Sequence, residues 1–157
     1  MSTRMAMMLV GVALSVAASN AAFAQGQMQI LPIGTIKWEP CDPSAAQPDA
    51  CQFSFFRGDP AKEPNYRMLK AKAGFSFPPH WHSSNEHLVM TKGTLKIAAE
   101  GGQEQDSILK VGDYLFIPAR RVHWGACPEE CVFYLYVDGP DSYIDALMSQ
   151  RYSNRFS

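Results

Sequence analysis

The sequence is poor in charge. Lys and Arg total 14 against 15 Asp and Glu, a formal charge of −1, and charged residues are only 18% of the 157. No Lys/Arg cluster occurs, so the electrostatic footprint of a nucleic-acid binder is missing. Internal repeats and low-complexity tracts are also missing, which excludes a solenoid or a biased linker. Histidine is scarce, with four residues in the whole chain. The longest apolar run, Met5 to Ala18, falls short of the roughly 20 residues that span a bilayer. What is present is 46% hydrophobic and 11% aromatic residues, enough for the core of one modest domain and too much for a disordered chain.

Residues 1–24 have the form of a cleaved signal peptide. Arg4 supplies the positive start, the apolar run follows, and Ala22-Phe23-Ala24 is the small-x-small pattern a signal peptidase cuts. No twin-Arg precedes the run, so general secretion of an unfolded chain to a periplasm or to the outside is expected, with no membrane attachment after cleavage. Four cysteines, Cys41, Cys51, Cys127 and Cys131, all lie beyond the cut, and an even number in an exported chain points to two disulfides. Of three possible connectivities, Cys41–Cys51 and Cys127–Cys131 are preferred because each closes a short loop. The second would staple Pro128-Glu129-Glu130 as a hairpin tip. A four-cysteine zinc site fits less well, because zinc ribbons carry a tight cysteine pair at both ends.

Residues 25–49 read as an irregular lead-in, with one candidate strand at Met28 to Ile36. From residue 50 to 140 short strands alternate with turn residues, the pattern of a sandwich or barrel. Predicted strands are Cys51–Arg57, Tyr66–Lys72, His87–Met90, Thr94–Ala98, Ser107–Val111, Tyr114–Ile117 and Cys131–Val137. In residues 141–157, Tyr143, Ile144, Leu147 and Met148 recur at helical spacing, predicting one short terminal helix before a polar tail.

The chemistry concentrates on the histidines. His80 and His82 are one residue apart, so on extended backbone both point to one face, and Glu86 shares their parity. One segment can then offer two imidazoles and a carboxylate, with His123 arriving from a separate strand pair across the barrel. Imidazole plus carboxylate suits divalent first-row metals and leaves positions open for a substrate. His87 has the opposite parity and reads as a packing or surface residue. Trp81 and Trp124 should likewise point away from the site. Tyr114, Phe116, Tyr134 and Tyr136 would line an apolar pocket only if their parity faces inward. Arg120 and Arg121 fit a solvated turn better than a substrate contact.

Spacing makes the pattern specific. Gly74, five residues, His80-x-His82, three residues, Glu86, six residues, Gly93 is followed, after eighteen residues, by Gly112, five residues, Pro118 and then His123. The chain resembles the cupin superfamily, in particular small single-domain bacterial cupins, over about residues 50–140. The resemblance implies an all-β double-stranded β-helix barrel, here with the short C-terminal helix added, and one divalent transition metal (Zn, Fe, Mn, Ni or Cu) held by His80, His82, Glu86 and His123. It also implies a homodimer. Two positions depart from the family pattern: Arg120 replaces a usual glycine, suggesting a different turn, and Cys127 replaces a usual asparagine.

The expected function is that of an exported metal-dependent enzyme, oxygenase-like or an isomerase or hydrolase, acting on a small organic molecule. The alternative is a non-catalytic, metal-loaded cupin that senses or binds a small ligand. A chain that meets its metal outside the cytoplasm would be biased by the affinity order toward copper and zinc.

Overall fold

The computed structural model describes residues 28–101 and 107–145. Among them there are eleven strands and two short 3-10 turns, Ile33–Thr35 and Pro48–Ala50. The expected signal peptide at 1–24 lies outside the described residues. The strand expected at Met28 to Ile36 is not formed; a 3-10 turn occupies Ile33–Thr35 instead. Its apolar side chains Met28, Ile30 and Ile33 stay exposed, so no sheet edge pairs with this stretch.

The strands are β1 (Glu39–Pro40), β2 (Cys51–Arg57), β3 (Asn65–Ala71), β4 (Ser76–His82), β5 (Glu86–Lys92), β6 (Leu95–Ala99), β7 (Ser107–Leu109), β8 (Tyr114–Ile117), β9 (His123–Ala126), β10 (Cys131–Val137) and β11 (Tyr143–Asp145). They form two antiparallel sheets, one of six strands in the order β1-β2-β3-β10-β5-β8 and one of five in the order β11-β4-β9-β6-β7. Strand β10 shows why this sequence makes sheet. Cys131, Phe133, Leu135 and Val137 are buried while Val132, Tyr134 and Tyr136 lie on the other face, the period of two that a half-buried strand requires. Its β-branched and aromatic residues suit a pleated surface. The core forms between the sheets from Leu88, Met90, Phe133, Leu135 and Val137 on the six-stranded side and Leu95 and Leu109 on the other.

The expected C-terminal helix is corrected where the structure describes it. Tyr143 and Ile144 belong to β11, which pairs antiparallel with β4, Tyr143 opposite His82 and Asp145 opposite His80. The free backbone edge of β4 takes up this segment, and that pairing overrides a weak helical periodicity. Leu147 and Met148 lie outside the described residues.

Both disulfides form as preferred, Cys41–Cys51 and Cys127–Cys131. The second does not cap a hairpin. β9 and β10 belong to different sheets, so Cys127–Cys131 closes the corner where the chain crosses from one to the other. The corner is tight: Gly93 has φ 69°, and a Cβ there would stand 2.2 Å from the Glu130 carbonyl oxygen. Arg120 also adopts a left-handed φ of 64°, so the arginine keeps a glycine-type backbone conformation. Its N–H donates to the His82 carbonyl at 2.8 Å, tying this turn to the strand that carries the histidine pair.

Candidate metal centre

β4 enters the site from the five-stranded sheet. Its alternation turns His80 and His82 inward, both buried, and leaves Trp81 facing the other way. β9 lies beside it with His123 directly opposite His80, so His123 comes from the neighbouring strand of the same sheet rather than from across the barrel. Glu86 is the residue that crosses: after the turn at 83–85 it opens β5 in the six-stranded sheet. Asn85 secures that turn, its backbone N–H and side-chain amide both donating to Asp138 and its Oδ1 accepting from Ala119 N–H at 2.7 Å.

The three imidazoles offer nitrogens that all lie within 4.8 Å of one another. Glu86 Oε2 stands 3.5 Å from His82 Nε2 and 3.6 Å from His123 Nε2. Ligand atoms about 2.1 Å from a common tetrahedral ion are roughly 3.4 Å apart. The two Glu86 separations match this, while the group that could share an ion by mutual distance is the three histidines. Each ring is oriented through its other nitrogen. His80 Nδ1–H donates to the Pro78 carbonyl at 2.6 Å and His123 Nδ1–H to the Arg121 carbonyl at 2.9 Å. A carbonyl only accepts, so in both rings Nδ1 carries the proton and Nε2 keeps its lone pair. His82 Nδ1–H donates to Asp141 Oδ1 at 2.8 Å.

Burial shapes the protonation. It pulls His80 down to about 4, helped by the adjacent His123, and it lowers His123 as well, so both imidazoles are neutral near pH 7. For His82 burial acts in the same direction, but the Asp141 hydrogen bond and the Glu86 charge outweigh it and the pKa is raised. Burial pushes the Glu86 carboxyl up against the pull of His82 and Arg67. A buried carboxylate beside imidazole nitrogens is stabilised by a cation placed among them. On donor type, spacing and ring orientation, the residues fit a divalent metal.

The model of the cupin domain matches residues 67–137. This stretch of the chain is a cupin domain. The DNA damage-repair/toleration protein DRT102 of Arabidopsis thaliana is 33% identical over 76 residues, which are 48% of this chain and 24% of that protein. This cupin therefore matches only about a quarter of that relative's length. The polyketide cyclase RemF of Streptomyces resistomycificus superposes with a TM-score of 0.63 at 17% identity, covering 76% of this chain and 86% of that one. An acetylacetone dioxygenase from Acinetobacter johnsonii gives a TM-score of 0.61 at 22% identity, covering 78% and 82%. At these identities the likeness is one of fold.

Three residues of this cupin site have no counterpart in the sequence reading. Asp141 and Arg67 form an ion pair at 2.5 Å beside His82, and Arg67 also lies 3.8 Å from Glu86 Oε1. Tyr143 stacks on His80, with ring centroids 4.6 Å apart, while the residue as a whole stays 55% exposed. Asp141 and Tyr143 sit in a segment whose apolar spacing suggested a helix, and Arg67 is one inward position on an otherwise ordinary strand. Inward parity on β3 was the one signal that could have marked Arg67.

The aromatic question left open by the sequence is resolved outward. Tyr114 and Phe116 are exposed, and with Tyr136 and His87 they lie on the outer face of the six-stranded sheet. His87 faces away from the histidine cluster as expected, with a 2.8 Å hydrogen bond between its Nδ1 and the Tyr114 hydroxyl.

Proposed function

We propose that this cupin is an exported metal-dependent enzyme acting on a small organic molecule. His80, His82, Glu86 and His123 would hold one divalent ion of zinc, iron, manganese, nickel or copper. The observation that carries this reading is the orientation of the rings: His80 and His123 have Nδ1 committed to backbone carbonyls, leaving the Nε2 lone pairs for one shared point beside the Glu86 carboxylate. When bound, such an ion supplies Lewis acidity to an oxygen-bearing substrate and, if redox-active, oxygen chemistry.

The chain's own residues do the rest. Backbone carbonyls fix two rings without the ordering of a second side chain. Burial keeps His80 and His123 unprotonated, the form a metal needs. The side chains of His80, His82, Glu86 and His123 are all buried, which keeps bulk water away from them. Tyr143, lying over His80 and partly exposed, is the described side chain placed to meet a molecule entering from solvent. Export is supported by the two disulfides, which persist in oxidising compartments. A homodimer is supported by the exposed Tyr66, Val89, Tyr114 and Phe116 on the six-stranded sheet, an apolar face of the kind that marks association.

The test is elemental analysis of the protein recovered from its native compartment beside a His80→Ala/His82→Ala variant. Near-stoichiometric metal that disappears in the variant is the expected result. A redox-active metal would then direct an oxygen-dependent substrate screen, and zinc a search for hydrolysis, isomerisation or ligand sensing. Protein that holds no metal and refuses added zinc, iron and copper would overturn the proposal.

A further inference from the structure

We propose that Asp141, braced by Arg67, is the positioning residue that sets the His82 ring for metal binding; this rests on the metal reading above. The three clustered imidazoles are not supported alike. His80 and His123 each donate to a carbonyl two residues earlier in the chain, so their orientation is built into the local backbone. His82 has no such local acceptor. Its Nδ1 is met by a carboxylate from a residue 59 positions away.

That carboxylate is held from several sides. Asp141 Oδ2 accepts from the Arg67 guanidinium at 2.5 Å, and the two side chains are only 6% and 12% exposed. The backbone around it is pinned as well. Asp141 N–H donates to the Pro60 carbonyl at 2.7 Å, and Ser83 and Ser84 hydroxyls both donate to the Pro140 carbonyl. Ser142 N–H returns to Ser83 Oγ at 3.0 Å. The segment that carries Asp141 is thus fastened to the turn that directly follows His82.

The chemistry follows from the pairing. A carboxylate engaged by a guanidinium is an acceptor, so the nitrogen facing it must be the one that carries the proton. In the neutral ring the His82 lone pair is then on Nε2, the atom that faces Glu86. Arg67 reaches toward Glu86 Oε1 at 3.8 Å with the same guanidinium, so one cation braces a carboxylate on each side of the imidazole. A carboxylate behind a metal-binding imidazole fixes the tautomer and strengthens the ligand, and its loss typically costs about 10–100-fold in metal affinity.

The experiment has two readouts on the full-length oxidised protein. The first is the nitrogen-15 spectrum of the imidazoles in the metal-free state, recorded at a pH above the raised His82 pKa so that this ring is neutral. His82 is expected as the Nδ1–H form, and Asp141→Asn should move it toward a mixture while His80 and His123 stay unchanged. The second is zinc affinity by competition with a chromogenic chelator. Asp141→Asn should weaken zinc about 10–100-fold, Arg67→Met should weaken it by less, and Asp141→Glu should recover part of the loss.

Unaltered nitrogen shifts and unaltered zinc affinity in a folded Asp141→Asn protein would overturn the proposal, reducing Asp141 to a purely structural ion pair. If that variant fails to fold, the wild-type spectrum decides: His82 found with its proton on Nε2 overturns the proposal. Wild-type protein that refuses zinc while showing the Nδ1–H form would instead sink the metal reading and leave the positioning of His82 standing.

Discussion

The five-stranded sheet contributes all three clustered imidazoles, whereas the six-stranded sheet contributes Glu86, Arg67 and seven of the ten residues in the buried apolar cluster. Much of the stabilising burial and all of the clustered imidazole nitrogen therefore sit on opposite sides of one interior. On β4 the inward positions near its end hold two histidines, while Phe77 near its start packs on the apolar cluster. On β10 the inward positions are Cys131, Phe133, Leu135 and Val137. A site with polar groups held in a dry interior depends on such an opposing wall, because burial of imidazole and carboxylate costs stability that apolar packing elsewhere must offset.

This contrast can be broken most strongly from the six-stranded side. Leu135→Ala, or Phe133→Ala, should cost about 2–5 kcal/mol through lost packing and an unfilled cavity, read as a lower denaturant midpoint. The His80→Ala/His82→Ala variant should lose far less stability and all metal. If the two classes of variant had equal effects on both readouts, the division between the sheets would be wrong. Removing the Cys41–Cys51 bridge as a double serine variant should cost about 2–3 kcal/mol, as expected for a loop with a sequence separation of 10. Metal uptake should be preserved, since this bridge joins the lead-in to β2 and touches no clustered histidine.

Gly93→Ala should come next, at roughly 1–3 kcal/mol, because it combines a left-handed backbone with a Cβ pressed on the Glu130 carbonyl. Thermal unfolding of the purified variant measures it. Acidification sharpens the comparison from the other side. In metal-free protein the folded pKa of His80 is depressed from 6.5 to about 4. Between those values the unfolded chain binds the proton and the folded one does not, so stability should fall as pH drops through this window. His123 acts in the same direction; His82, raised above 6.5, gains its stabilisation before this window opens, and Glu86, raised above 4.5, offsets part of the loss. Denaturant midpoints at pH 7, 5 and 4 test this, and a rise on acidification would contradict it. The smallest effect belongs to His87→Ala. On the outer face it should change stability by less than about 1 kcal/mol and leave zinc affinity untouched.

Legibility in the sequence followed the range of the interaction. Strand β10 and the strands Cys51–Arg57 and Tyr114–Ile117 were read with their observed limits, since alternation and turn residues are local signals. The segment at 28–36 misled because apolar residues without a pairing edge form no strand. The C-terminal segment misled for the opposite reason, an available edge on β4 that no spacing reveals.

The site divides in the same way. Side-chain parity is a property of the extended chain, so the sequence alone determined that His80 and His82 share a face and that His87 looks elsewhere. It also carried the glycine positions, where Gly74, Gly93 and Gly112 all take positive φ. Only the tertiary structure decided that His123 stands beside His80 on the next strand and that Glu86 reaches the cluster from the opposite sheet. It alone brought Arg67, Asp141 and Tyr143 to the imidazoles. The physical reason is that strand order and sheet packing are set by the burial of the whole chain, and no local pattern encodes which distant edge a segment will meet.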